Sequence, residues 1–315
     1  MTEIAIEETE TGQTSDRRFR AGYVAIVGEP NVGKSTLMNG LLGQKISIVT
    51  RKPQTTRRRI LGILSRENYQ IIFLDTPGIL KPKYLLHEAM MEFARSAIED
   101  ADVVLFMIDA TDPKMGPEIK HDNAFASVKN LAKPVYLVIN KVDLVKKQEL
   151  LPMIAFYSEK YPFKEIFPIS ALRRDGMDDL LNSIVKELPE NRPYYPLDIV
   201  SELSEKFFVG EIIREKIFEK YQQEIPYSTA VDILEFKEQP GRKDVIHAEI
   251  YVERDSQKGI LIGKQGMALK EIGELARKDI EEFLGRQVFL ELYVKVRDNW
   301  REKEEWLKRL GYTAS

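Results

Sequence analysis

The chain has no cysteine and only three histidines, His87, His121 and His247, scattered over 315 residues. Disulfide bonds and thiolate metal sites are thereby excluded, and the histidines form no zinc-like cluster. Any bound metal should be a hard ion held through oxygen. No segment approaches the roughly 18 uninterrupted apolar residues of a membrane span, and MTEIAIEETETGQTSDRRFR at the N-terminus lacks the apolar core of a signal peptide. We therefore expect a soluble, cytoplasmic protein. An excess of either charge is also missing: Lys+Arg 47 stand against Asp+Glu 50, for a net charge of −3. No global field announces a nucleic-acid partner, so local charge must carry that argument.

What is present is length and apolar content for two cores, with 43% hydrophobic residues. Residues 1–20 are polar and aperiodic and read as a disordered tail. From residue 21, short β-rich runs (Tyr23 to Val27, Arg59 to Leu64, Gln70 to Leu74, Val103 to Ile108, Val135 to Ile139, Ile166 to Ile169) alternate with amphipathic patterns such as His87 to Ile98 and Met177 to Leu188. This is the pattern of a doubly wound α/β domain over 21–188. LPENRPYYP carries Pro189, Pro193 and Pro196 and reads as a linker at 189–196. Beyond it, at 197–315, a long helix (Glu202 to Tyr221), strands (Thr229 to Phe236, Val245 to Val252), a glycine turn, a helix (Leu269 to Phe283) and a last strand (Val288 to Val296) predict a smaller α+β domain.

The motifs lie where ligands bind in such sheets, at the carboxyl ends of strands. GEPNVGKS, from Gly28 through Glu29, Pro30, Asn31, Val32, Gly33 and Lys34 to Ser35, with Thr36 opening a helix, has the strand, glycine loop and helix of a phosphate cradle. Lys34 should reach the β- and γ-phosphate oxygens and Ser35 a magnesium ion. LDTPG ends a strand with Asp75, Thr76, Pro77 and Gly78. Asp75 should hold the ion through water, and the Gly78 N–H should approach the γ-phosphate. NKVD follows the strand PVYLVI. The Asp143 carboxylate suits the paired donors of guanine, Asn140 should tie the loops together and Lys141 should cover the ring, so the nucleotide is expected to be GTP or GDP. PISAL places Ser170, Ala171 and Leu172 beside the base, with the Ala171 N–H aimed at guanine O6. RKPQTTRRR, Arg51 to Arg59, holds five basic residues and no acid. Thr55 and Thr56 are its candidates for completing the magnesium shell when GTP is bound, and Thr56 is preferred. Residue Ile79, after DTPG, has no hydrogen-bonding group with which to orient a water.

In that order, GEPNVGKS, KPQTTR, DTPG, NKVD and SAL resemble the translation-factor class of P-loop GTPases, and within it the Era-like family. The resemblance runs from about Phe19 to Tyr312. It implies a slow GTP-hydrolysing switch in which Lys34, Asn31, Thr56 and Gly78 serve catalysis and Ser35, Thr56 and Asp75 surround Mg2+. In tRNA-modifying relatives a P-loop asparagine helps hold K+, and Asn31 sits at the matching position; a local loop hydrogen bond is its plainer role.

In the second domain GILIGKQG carries a GxxG turn, Gly263, Lys264, Gln265 and Gly266, between helices, after two strands and before a third. That order resembles a type II KH domain, whose turn clamps single-stranded RNA through its backbone. Ile262 and Lys270 join the expected RNA-binding set, with Ile260 and Ile262 as an apolar floor or as core. Trp300, Trp306 and Tyr312 either stack on bases or pin the terminal helix. The resemblance implies a grip on the 3′ end of small-subunit (16S) ribosomal RNA, a role in small ribosomal subunit assembly, and peripheral contact with the inner face of the membrane. We expect a monomer. Two other readings are a GTPase component of an RNA-modification system, which should show a further catalytic domain or a reactive cysteine, and a membrane-surface signalling GTPase, which should show a lipidation site or polybasic amphipathic helix.

Overall fold

The computed structural model describes residues 18–313. The expected tail lies outside the described residues up to position 17. Residues 18–20, assigned to it, are instead fastened: the Phe19 carbonyl accepts from the Asn191 N–H at 3.1 Å, and Arg20 begins the first strand.

The first unit runs β1 (Arg20–Gly28), α1 (Lys34–Leu42), β2 (Ile60–Ser65), β3 (Tyr69–Asp75), α2 (Leu85–Asp100), β4 (Val103–Asp109), α3 (Asn123–Val128), β5 (Val135–Asn140), α4 (Lys147–Lys160), β6 (Glu165–Pro168) and α5 (Met177–Glu187). The sheet order is β2-β3-β1-β4-β5-β6, all parallel except β2, which pairs antiparallel with β3. The strands read as nearly continuous apolar runs because both faces are covered. Val24 and Ile26 of β1 pack with Leu37 and Met38 of α1 and Leu180 and Ile184 of α5. Ala25 and Val27 face the other way, toward Ala94 and Ala97 of α2 and Met153 and Tyr157 of α4. The sheet is thus doubly wound. Strand order reverses at β1, which lies between β3 and β4, so the loop after β1 opens at the switch point where such sheets bind ligands.

The second unit runs α6 (Glu205–Lys220), α7 (Ile225–Ser228), β7 (Ala230–Lys237), β8 (Asp244–Val252), α8 (Asp255–Ile262), α9 (Met267–Leu284), β9 (Val288–Val296) and α10 (Glu304–Arg309). Its sheet is β7-β8-β9, antiparallel then parallel. Val209 and Ile213 of α6 and Ile272, Ala276 and Ile280 of α9 bury one face against Ile246 and Ile250.

The proline-rich segment does not hang free. Ala21 N–H donates to the Pro189 carbonyl at 3.2 Å, and the backbone N–H groups of Tyr194 and Tyr195 donate to the fully buried Gln70 side chain at 2.8 and 3.0 Å. The fastening continues past Pro196: Ile63 N–H of β2 donates to the Val200 carbonyl at 2.7 Å, and the Ser201 hydroxyl donates to the Leu61 carbonyl at 2.8 Å. An edge strand with open backbone groups has captured the chain. The long helix consequently begins at Glu205, where Ser204 caps it by accepting from the Phe207 N–H, and we propose Ser204 as the domain boundary. The units also share a core: Trp300, Leu307, Leu310 and Tyr312 pack with Leu86 and Met90 of α2. Trp300 is fully buried and donates from Nε1 to the Ser228 carbonyl at 2.8 Å, so it and Tyr312 pin the C-terminus rather than stack on bases.

Candidate nucleotide site and candidate nucleic-acid groove

Gly33 ends the β1–α1 loop at φ 104°, and a Cβ there would lie 2.3 Å from Asn140 Nδ2. Only glycine combines that left-handed backbone with so close an approach. The following Lys34 curls back, Nζ donating to the carbonyls of Gly28 at 3.2 Å and Glu29 at 2.8 Å. Burial pushes its pKa down to about 8, against the pull of Asp75 and Glu29.

Ser35, Asp75 and Thr56 converge. Ser35 Oγ donates to Asp75 Oδ2 at 2.7 Å and lies 3.0 Å from Thr56 Oγ1, which is 3.5 Å from the same carboxylate oxygen. Ser47, which no motif marked, adds a donor to that oxygen at 2.9 Å. Thr55 turns the other way, its Oγ1 2.8 Å from Thr50 Oγ1 and donating to the Lys52 carbonyl at 2.8 Å. The Asp75 carboxyl is fully buried, burial raises its pKa, and its Oδ1 has no hydrogen-bond partner. An orphaned carboxylate oxygen beside two hydroxyls is a donor set for a hard divalent ion, so the residues present fit Mg2+.

Gly78 closes the site from β3. A Cβ on it would meet the Pro30 backbone at 2.6 Å, so no other residue fits against the phosphate loop. The Ile79 N–H donates to the Gly28 carbonyl at 3.0 Å, locking the two loops together. On the base side Asn140 spans both walls: Nδ2 donates to the Val32 carbonyl at 2.7 Å, and Oδ1 accepts from the Ala171 N–H at 2.9 Å. The amide expected to reach guanine O6 therefore serves the scaffold instead. Asp143 pairs with Arg173 Nε at 3.3 Å, and Lys141 is held by Asp109 at 2.5 Å; sequence reasoning noted neither partner, for lack of any motif containing them.

These groups face a cavity of about 880 Å³, whose expected lining residues are Pro30, Asn31, Gly33, Lys34, Ser35, Thr36, Thr56, Thr76, Gly78, Asn140, Lys141, Asp143, Ser170 and Leu172. Gly28, Val32, Asp75, Pro77 and Ala171 stand outside that lining. Val32 and Pro77 are buried behind it, since their apolar side chains belong to the packing that shapes the loops. Glu29 faces a separate side cavity with Asp112, Asp122 and Lys114, where burial and Asp122 raise its pKa. Asn31 adopts φ 66° and donates from Nδ2 to the Arg51 carbonyl at 3.1 Å, joining the phosphate loop to the Arg51 to Arg59 loop. Three further lining residues, Phe218, Glu219 and Gln222, come from the second unit and carried no nucleotide signal in the sequence.

The basic loop is not a solvated charge run. Arg57 is 3% exposed and donates to the carbonyls of Thr229 at 2.7 Å, Pro226 at 2.9 Å and Tyr227 at 3.0 Å. Lys52 caps the carbonyls of Phe218 and Tyr221. Among the described residues no helix is long and apolar enough to cross a membrane.

In the second unit the turn bends at Gly263 (φ 71°), Gln265 (φ 53°) and Gly266 (φ 78°), presenting Lys264 and Gln265 to solvent. A groove of about 420 Å³ continues from Gly266 along Leu269, Lys270, Gly273, Glu274 and Arg277 of α9, floored by Leu290 and Leu292 of β9. The floor is therefore Leu269, Leu290 and Leu292 rather than Ile262, which turns its side chain partly into the core, or Ile260, which is exposed. The helical spacing from Gly266 to Arg277 was the available signal for this wall.

Two family models match: one described as a 50S ribosome-binding GTPase over residues 23–141, the other as a KH domain over residues 224–301. The chain is 50% identical over 300 residues to GTPase Era of Geobacter metallireducens, which covers 95% of this chain and 100% of that protein. It is 48% identical over 308 residues to the chloroplastic GTPase ERA1 of Zea mays, covering 97% of this chain and 74% of that one. A solved structure of Era in complex with MgGDPNP and nucleotides 1506–1542 of 16S ribosomal RNA superimposes with a TM-score of 0.90 at 46% identity, covering 94% of this chain and 100% of that one. A variant of Aquifex aeolicus Era bound to GDP·AlF4− gives a TM-score of 0.89 at 45% identity over the same shares of the two chains. With this degree of identity across both units, the chain belongs to the Era family of GTPases.

Proposed function

We propose that this chain hydrolyses GTP to GDP and phosphate with Mg2+, and that its KH-type unit holds the 3′ region of 16S ribosomal RNA during small-subunit assembly in the cytoplasm. The observation that carries the reading is the pairing of the Ser35, Thr56 and Asp75 cluster with an open groove beside a GxxG turn in one chain. It is supported by a relative, alike over nearly the whole chain, solved with MgGDPNP and a 16S fragment. The broader of the two matching models names the large subunit, but it spans only residues 23–141; the relative solved with a 16S fragment is alike over nearly the whole chain and supports the small-subunit reading.

The residues divide the work. Lys34 neutralises charge on the β- and γ-phosphates, and Ser35, Thr56 and Asp75 hold the ion, which supplies electrostatic stabilisation of the transferring phosphoryl group. Asp143 reads guanine. Gly78 brings a backbone N–H to the γ-phosphate, so the presence of that phosphate is transmitted into the segment that begins at Ile79. Ile79 has no polar group to orient water, and we propose that a K+ ion held with the help of Asn31 supplies part of the missing charge stabilisation. In this reading membrane contact is peripheral, and a monomer is the working form.

The test is crosslinking of the chain to cellular RNA, once with a non-hydrolysable GTP analogue and once with GDP, followed by sequencing of the trapped RNA. Enrichment of the 16S 3′ region is the expected result. Recovery of RNA without regional preference would remove the ribosomal assignment while leaving GTP hydrolysis, measured by phosphate release, to stand or fall separately.

A further inference from the structure

Thr56 is gripped on both sides by the second unit. The carbonyl of the preceding Thr55 accepts from Arg214 Nη2 at 2.5 Å, and the side chain of the following Arg57 is buried against the carbonyls of Pro226, Tyr227 and Thr229. At the other end of the same loop, Glu215 accepts from the Val49 N–H at 3.1 Å and from Lys45 Nζ at 2.6 Å. Arg214 and Glu215 are adjacent on α6, each 1% exposed. A buried charge is costly unless it is paired and hydrogen-bonded. Here two neighbouring buried charges of opposite sign each bond the backbone of one loop, one near its start and one at its end. The next turn of α6 and the residues just past its end complete the arrangement, since Phe218, Glu219 and Gln222 line the nucleotide cavity.

We propose that Arg214 and Glu215 are positioning residues for GTP: from the RNA-binding unit they hold the Val49 to Thr56 loop with the Thr56 hydroxyl against Ser35 and Asp75, so that the site is ready for a nucleotide carrying a γ-phosphate. The proposal rests on the reading of Thr56 as the residue that completes the ion's shell only in the triphosphate state. Neither side chain lines the nucleotide cavity. The effect must therefore appear as selectivity between triphosphate and diphosphate, because Lys34, Asn140 and Asp143, read here as holding the β-phosphate and the base, lie outside this loop. A merely structural role would weaken both nucleotides together.

The experiment measures affinities of the full chain, without RNA, for a non-hydrolysable GTP analogue and for GDP in Mg2+. Arg214→Met keeps the side chain's length against Phe218 but removes its donors. It should lower the affinity for the analogue about tenfold, the scale of one charge-assisted hydrogen bond, and leave GDP affinity within about twofold. Arg214→Lys, which restores a donor, should recover part of the loss. Equal losses for both nucleotides, or no loss for either, would overturn the proposal. If Arg214→Met does not fold, Glu215→Ala reads the same ratio from the other end of the loop and carries the same two outcomes. Thr56→Ala separates the two readings. If it leaves the ratio unchanged, the assignment of Thr56 fails and the proposal falls with it; if it lowers the ratio while the α6 variants do not, the proposal fails alone.

Discussion

Around the nucleotide cavity the polar side chains are already engaged with one another: Lys34 with its own loop, Ser35 with Asp75, Asn140 with both walls, Asp143 with Arg173. In the second unit Lys264 and Gln265 at the turn and Lys270 along the groove stand exposed, and the Lys270–Glu274 ion pair is long at 3.9 Å between two exposed side chains. The contrast follows from what each site must recognise. A small ligand distinguished from close analogues needs groups held in place before it arrives, because an unpaired buried polar group is what rejects the wrong base. An RNA backbone gripped through phosphates needs accessible donors and positive charge at a turn, and tolerates mobile side chains.

The comparison breaks most decisively at Asp143. Asp143→Asn removes the acceptor for both donors of guanine and offers an amide to the exocyclic oxygen of xanthine. GTP affinity should fall on the order of 10⁴-fold and affinity for xanthosine triphosphate should rise. Tight GTP binding by this variant, in equilibrium titration, would show that the base is read elsewhere. The corresponding change in the groove, Lys264→Asp with Gln265→Asp, places two negative charges against the RNA backbone. RNA affinity should drop on the order of 10²-fold while GTP affinity stays as it was. Loss of both would mean that the two regions do not recognise ligands independently.

A smaller effect follows from Lys34. Burial lowers its pKa to about 8 in the free protein, and phosphates bind the ammonium form. The bound lysine therefore has the higher pKa, so GTP affinity is level just below pH 8 and declines by up to about tenfold per unit above it. Titrations between pH 7.5 and 9.5 test this, with Lys34→Arg as the variant in which the pH dependence should vanish. The smallest effect concerns monovalent ions. GTP hydrolysis should run several-fold, about 1 kcal/mol in barrier, faster in K+ than in Na+, and Asn31→Ala should remove that difference. Equal rates in the two salts would leave Asn31 with only its bond to the Arg51 carbonyl.

Wherever local chain chemistry suffices, the residues were readable in advance. A strand, a glycine turn and a helix in succession locate the phosphate loop, since the backbone itself makes the cradle. The strand patterns fall within a few residues of β1 to β9, and burial on both faces leaves a long apolar run in β1, β3, β4 and β5. Thr55 and Thr56 offer the same hydroxyl one position apart, and the structure brings Thr56, the preferred one, to Ser35 and Asp75 while Thr55 joins Thr50. Glu29 faces a side cavity, the Ala171 N–H is taken up by Asn140 and Ile262 packs partly into the core, because neighbours in sequence along a loop point in different directions.

By itself the sequence determined the two units, the chemistry of each and the nucleotide that the first one reads, because each of these is written in contiguous residues whose backbone geometry is local. Tertiary structure alone decided that Pro189 to Ser201 lies against the first sheet, that Trp300 and Tyr312 close a shared core with α2, and that Arg57, Arg214 and Glu215 bind the two units through one loop. Those contacts join residues far apart in the chain. They form because buried charges and open strand edges must find partners wherever the fold brings them, and no local pattern announces which partner that is.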